Sequence, residues 1–124
     1  MDKRRIKGIR KDFKPLFNRV LGIVVYGSLA RDDYGERSDI DICIIAPEED
    51  SSKLYKDTLH LDYDIKIFEL MPLYLKTEVI KNHEVVYAKD VYELYEYFYF
   101  FRKLWVDQEH RQGLNKEEVL RILS

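Results

Sequence analysis

Two short apolar runs rich in β-branched residues, Ile23-Val24-Val25-Tyr26 and Ile42-Cys43-Ile44-Ile45, bracket a polar stretch that begins Gly27-Ser28 and ends Asp39-Ile40-Asp41. That arrangement constrains the chain more than any other. Each run has the length and composition of a strand, and apolar residues at every position of the first suit a strand covered on both faces. Residues two apart on a strand point the same way, so Asp39 and Asp41 share one face while Ile40, Ile42 and Ile44 take the other. Two carboxylates held that close repel unless a cation sits between them, and hard oxygen donors favour Mg²⁺. Gly27 lets backbone approach a ligand closely, and a helix beginning near Ser28 would offer free N–H groups to phosphate. A phosphate cradle beside paired carboxylates is equipment for phosphoryl or nucleotidyl transfer. Arg31 is placed to reach a triphosphate, with a surface arginine as the equal alternative.

These residues resemble the signature of the DNA-polymerase-β-like nucleotidyltransferase superfamily: Gly27-Ser28, ten residues, then Asp39-x-Asp41. The small size resembles its minimal nucleotidyltransferase (MNT) branch, the antitoxin halves of HEPN–MNT toxin–antitoxin pairs, over about residues 20–70. The resemblance implies an α/β fold, a small mixed sheet flanked by helices, carrying a third carboxylate on a later strand. Leu61–Phe68 alternates, with Tyr63, Ile65 and Ile67 on one face and Asp62, Asp64 and Lys66 on the other. Asp64 matches the family position better, and Asp62 has the same parity.

On this resemblance Asp39, Asp41 and Asp64 are the catalytic and metal-binding residues, holding two Mg²⁺. Gly27, Ser28 and Arg31 bind the nucleotide, and AMP moves from ATP to a tyrosine hydroxyl of a HEPN-type ribonuclease toxin. Two alternatives accompany it: an antitoxin that silences its toxin by binding alone, and transfer to a small molecule such as an aminoglycoside. The latter usually needs a further substrate domain.

The 124 residues suit a single domain, a core over about 10–90 with an aromatic helical extension over about 90–124. The lone cysteine, Cys43, reads as a small buried residue and points to a reducing cytoplasm. No apolar run reaches the length of a membrane span.

Charge is unevenly spread. The first 19 residues carry a net of +6 and the remainder −8. Ile6, Ile9, Phe13, Leu16, Phe17 and Val20 fall at helical spacing, with Pro15 beginning, kinking or interrupting the helix. The basic face reads as solvated rather than as a nucleic-acid site.

A helix is expected over Leu70–Lys81, with His83 at its end in a helix-capping or surface role rather than as a metal ligand, followed by a short strand over Glu84–Ala88. Residues 90–112 form an aromatic helix. Val91, Leu94, Phe98, Phe101 and Trp105 make a stripe for the domain, leaving Tyr97, Phe100 and Leu104 for a protein partner or a homo-oligomer. Gly113 is expected to end this helix and Asn115 to cap a short final one.

Overall fold

The computed structural model describes residues 2–27 and 40–123, with side-chain surroundings through His110. Ser28, Arg31 and Asp39 lie outside the described residues. The chain runs α1 (Lys3–Phe13), a 3-10 segment (Lys14–Arg19), β1 (Gly22–Tyr26), β2 (Asp41–Ile45), α2 (Ser51–Asp57), β3 (Asp64–Ile67), a 3-10 turn (Phe68–Leu70), α3 (Leu73–Lys81), β4 (His83–Ala88) and α4 (Val91–Leu123). The strands form one mixed sheet in the order β3-β2-β1-β4. The β1 strand pairs antiparallel with β2 and β4, and β2 pairs parallel with β3.

Strand alternation sorts the core into two layers. Ile23, Val25, Ile42, Ile44, Ile65 and Ile67 face Ile9 and Phe13 of α1, Leu16 of the 3-10 segment and Leu54 of α2. On the other face Val24, Tyr26, Cys43 and Ile45 meet Phe68, Val79 of α3, and Leu94 and Phe98 of α4. Both faces of β1 are thus covered, which is why that strand is apolar throughout. Leu94 packs so tightly on β1 that a Cβ at Gly22 would stand 3.0 Å from its Cδ2.

The basic start of the chain is a helix, and the sequence reading of its apolar face holds. Pro15 opens the 3-10 segment instead of kinking a continuous helix, because its ring and missing N–H break the α ladder there. Part of the positive charge is absorbed internally. Arg10 donates to the Val86 carbonyl at 3.0 Å and lies over the stacked rings of Phe17 and Tyr87. Arg19 joins Glu49 and Asp57.

Of the two roles open to it, capping or surface, His83 takes the cap. Its Nδ1–H donates to the carbonyls of Val79 and Ile80, each at 3.0 Å. The β4 strand begins at that histidine.

The last helix departs from expectation. Asp90 caps it, accepting from Tyr92 N–H at 2.9 Å, and α4 then continues for 33 residues through Gly113 and Asn115. At about 1.5 Å per residue it is roughly 50 Å long. One glycine in a propagating helix costs about 1 kcal/mol, too little to end it. Leu94 and Phe98 are buried as read, whereas Val91 is half-exposed. Tyr97 is not left over for a partner. Its hydroxyl donates to Glu69 at 2.9 Å, and its ring packs on Phe68 and Phe101. Glu69 also accepts from Ala46 N–H at 2.9 Å, so one carboxylate joins α4 to the end of β2. Phe100 and Leu104 do remain at the surface, joined by Tyr92 and Tyr99.

Among the described residues no helix is long and apolar enough to cross a membrane.

Candidate active site

The end of the sheet where β1 finishes and β2 begins collects the candidate groups. Tyr26 stands opposite Asp41 in the antiparallel β1–β2 ladder, and Asp41 stands opposite Asp64 in the parallel β2–β3 ladder. Three neighbouring strands therefore place one phenol and two carboxylates in a row. Opposed residues on adjacent strands share a face and have strands spaced about 4.8 Å apart. This is the face that α3 and α4 cover farther along, so the row sits at the rim of a core layer with its outer end open. The side chain of Asp64 is 50% exposed.

Gly27 follows β1 directly and takes φ = +75°. That conformation alone disfavours a side chain. Crowding adds a second reason, because a Cβ there would lie 2.7 Å from Asp41 Oδ2. The glycine thus brings bare backbone up to a carboxylate at the point where the chain leaves the sheet.

Electrostatics register the same cluster. Burial pushes the Tyr26 phenol well above the ordinary tyrosine range, and the charges of Asp41, Cys43 and Asp64 push it further. The phenol stays protonated at neutral pH. Lys66, two residues along β3 on the same face, places Nζ 3.3 Å from Asp64 Oδ1. Cys43 is fully buried and its thiol is driven up chiefly by that burial, as its reading as a packing residue requires.

Carboxylate oxygens are the donor type a divalent cation takes, and among the described residues the row supplies two of them, with no group of three ligands. Adjacent strands hold two carboxylates side by side, and Gly27 brings no side chain of its own against Asp41. Among the expected site residues, the structure brings Gly27, Asp41 and Asp64 together. Asp39 precedes Ile40, which is buried and joins the α1 layer. The two candidate positions on β3 also separate. The strand begins at Asp64, later than the alternation over Leu61–Phe68 suggests, and Asp62 lies exposed in the bend before it. The parallel register with Asp41 falls on Asp64. His60 is exposed in the turn after α2.

Tyr26 was not legible as a site residue. It closes an apolar run and reads as core, and its role in the row depends on a β1–β2 register set across a long connection.

Comparison with known proteins finds relatives in sequence and in fold. A nucleotidyltransferase domain family model matches residues 6–112. A relative from Methanocaldococcus jannaschii, MJ1547, whose name is that of a protein adenylyltransferase, is 49% identical over 104 residues, 84% of each chain. Among solved structures, an MNT antitoxin in complex with tri-AMPylated Shewanella oneidensis HEPN toxin superposes with a TM-score of 0.59 at 18% identity, over 100% of both chains. A toxin–antitoxin structure with AMP-PNP gives 0.59 at 18% identity, over 96% of this chain and 98% of the other. At that identity the structural likeness speaks for the fold.

Proposed function

The chain belongs to the nucleotidyltransferase domain family, and we propose that it is a protein adenylyltransferase that moves AMP from ATP to a tyrosine hydroxyl of a HEPN-type toxin. The observation that carries this reading is the in-register pair Asp41–Asp64 beside the positive-φ Gly27. The name of the archaeal relative and the HEPN partners of the fold relatives support the choice of acceptor.

In this reading Gly27 and Ser28 hold the departing phosphates through backbone N–H groups, and Arg31 takes part of their charge. Asp39, Asp41 and Asp64 would hold two Mg²⁺, which when bound lower the acceptor's pKa and neutralise phosphate charge. Asp64 borders the open end of the row and takes the acceptor's proton. The hydroxyl oxygen attacks the α-phosphorus, the bond from that phosphorus to the bridging oxygen breaks, and pyrophosphate leaves. Tyr26, protonated and buried, holds the polar row against the core. ATP as donor sets the reaction in the cytoplasm.

A second surface belongs to the same reading. Tyr92 is 88% exposed on α4 and Tyr99 65%. Together with Val106 they recur every seven residues, the spacing of a helix–helix seam. We assign this stripe to a second copy of the chain. Antiparallel pairing about Tyr99 would set Tyr92 against Val106 and Glu96 against Arg102 and Lys103, matching apolar with apolar and acid with base.

The test of the activity is incubation of the purified chain with ATP, Mg²⁺ and its HEPN-type toxin, followed by mass spectrometry. AMP on a toxin tyrosine is the expected product. An unmodified toxin after prolonged incubation would reject the transferase reading.

A further inference from the structure

β3 is an edge strand, and its outer side is a groove. The sheet order leaves it paired with β2 alone among the described residues. Asp64 N–H donates to the Ile40 carbonyl at 3.0 Å, so the backbone groups of Asp64 and Lys66 turn inward to β2. By strand alternation those of Ile65 and Ile67 turn outward. Beside this edge lies a groove of about 380 Å³ whose lining includes Tyr55, Asp64, Lys66, Leu70, Pro72 and Leu75. Leu70 is 58% exposed and Tyr55 42%. One wall of the groove is therefore the candidate catalytic carboxylate, and most of the rest is apolar.

We propose that this groove receives the acceptor: an extended segment of the partner protein adds as a strand to the outer edge of β3 and delivers its tyrosine hydroxyl to Asp64. The inference rests on the adenylyltransferase reading and specifies how its substrate docks. Three features choose a polypeptide. Outward N–H and C=O groups at Ile65 and Ile67 match a strand's backbone and give a small molecule little to use. Exposed Leu70 and Tyr55 supply apolar contacts for the side chains flanking the acceptor. The charges lining the groove, Asp64 and Lys66, are already paired at 3.3 Å, an arrangement poorly suited to a polycationic aminoglycoside. Tyrosine is favoured over serine or threonine by reach, since the added strand lies a further ~4.8 Å beyond β3. The short edge and Lys66 limit indiscriminate strand pairing, so the apolar groove and the hydroxyl's fit at Asp64 must supply the selectivity.

Amide hydrogen exchange by NMR, with and without the intact HEPN-type toxin, reads docking without relying on transfer. The Ile65 and Ile67 amides should slow at least tenfold in the complex. In parallel, Leu70→Asp should raise the KM for toxin at least tenfold while leaving the Kd for Mg·ATP and the melting temperature unchanged. Protected amides without any AMP transfer would uphold the docking and count against the chemistry. Normal transfer with unprotected amides and an unchanged KM in Leu70→Asp would overturn the docking and leave the chemistry standing. Protection that rises with chain concentration in the absence of toxin would assign the edge to a second copy and likewise overturn the proposal.

Discussion

Gly27 and Asp41 are in contact in a way that admits no side chain: a Cβ on the glycine would sit 2.7 Å from Asp41 Oδ2. The glycine's φ of +75° adds a conformational cost of about 1–2 kcal/mol for any other residue. Gly27→Ala should therefore displace the Asp41 carboxylate, lower the melting temperature by several degrees, and reduce AMP transfer by at least tenfold. Calorimetry and a labelled-ATP assay check the two halves separately. Normal transfer in this variant would show that the contact is unimportant to the chemistry.

Asp64 and Asp62 should differ sharply. Asp64 opposes Asp41 across the ladder, while Asp62 is exposed before the strand starts. Asp64→Asn is expected to abolish measurable transfer, and Asp62→Asn to change it by less than about threefold. Neither should alter stability by more than about 0.5 kcal/mol, as is usual for exposed positions. The opposite ranking in single-turnover kinetics would shift the third carboxylate by two residues.

Alkaline pH should loosen the junction between α4 and the sheet. The Tyr97 phenol is held above the usual tyrosine range by burial first and by the nearby Glu69 charge second. The folded chain keeps this proton where the unfolded chain releases it, so stability is full below about pH 10 and falls as pH rises above that. Tyr26 contributes in the same direction. Tyr97→Phe loses the hydroxyl's bond to Glu69, costing about 1 kcal/mol at neutral pH. It should also make the alkaline decline shallower. Denaturant melts at pH 7 and pH 11 on both proteins read both effects, and parallel declines would contradict the assignment.

The α4 stripe predicts a different phenotype. Tyr92→Ser combined with Tyr99→Ser removes two rings of that stripe, 88% and 65% exposed. The monomer should keep its melting temperature to within a few degrees. Self-association should weaken about thirtyfold or more, since aromatic anchors at an interface are worth about 2 kcal/mol or more. Sedimentation velocity over a concentration series is the measurement. A collapsed melting transition would place these rings inside the domain instead.

Most of the sheet was legible because its signals are local. The two apolar runs and the alternation of Ile65 and Ile67 each follow from the two-residue period of a strand. His83, standing at the end of an apolar helical pattern, was readable as a cap or a surface residue, and its partners at Val79 and Ile80 decide for the cap. What escaped the sequence depended on distant pairing. Tyr26 joins the carboxylate row through its register with Asp41, and nothing within the run from Ile23 marks that partner. Tyr97 looked surplus on a helical wheel because Glu69, 28 residues earlier, was not known to meet it. Gly113 was overvalued as a stop, its local penalty being smaller than the gain from a helix already propagating. The choice between Asp62 and Asp64 also needed the parallel β2–β3 register, which alternation cannot supply.

The proposed transfer of AMP to a protein depends on the carboxylates at the sheet end. Replacing Asp39 and Asp41 together by Asn removes two charges while nearly keeping the side chains' shape, and on the strand parity expected from the sequence it relieves a repulsion. The direct measurement is intact-mass spectrometry of the HEPN-type toxin after incubation with ATP, Mg²⁺ and either the natural chain or this double variant. An AMP adduct is expected with the natural chain, formed at least a hundredfold more slowly by a variant that melts at the same temperature or higher. An adduct formed at the same rate by the folded double variant would contradict that dependence.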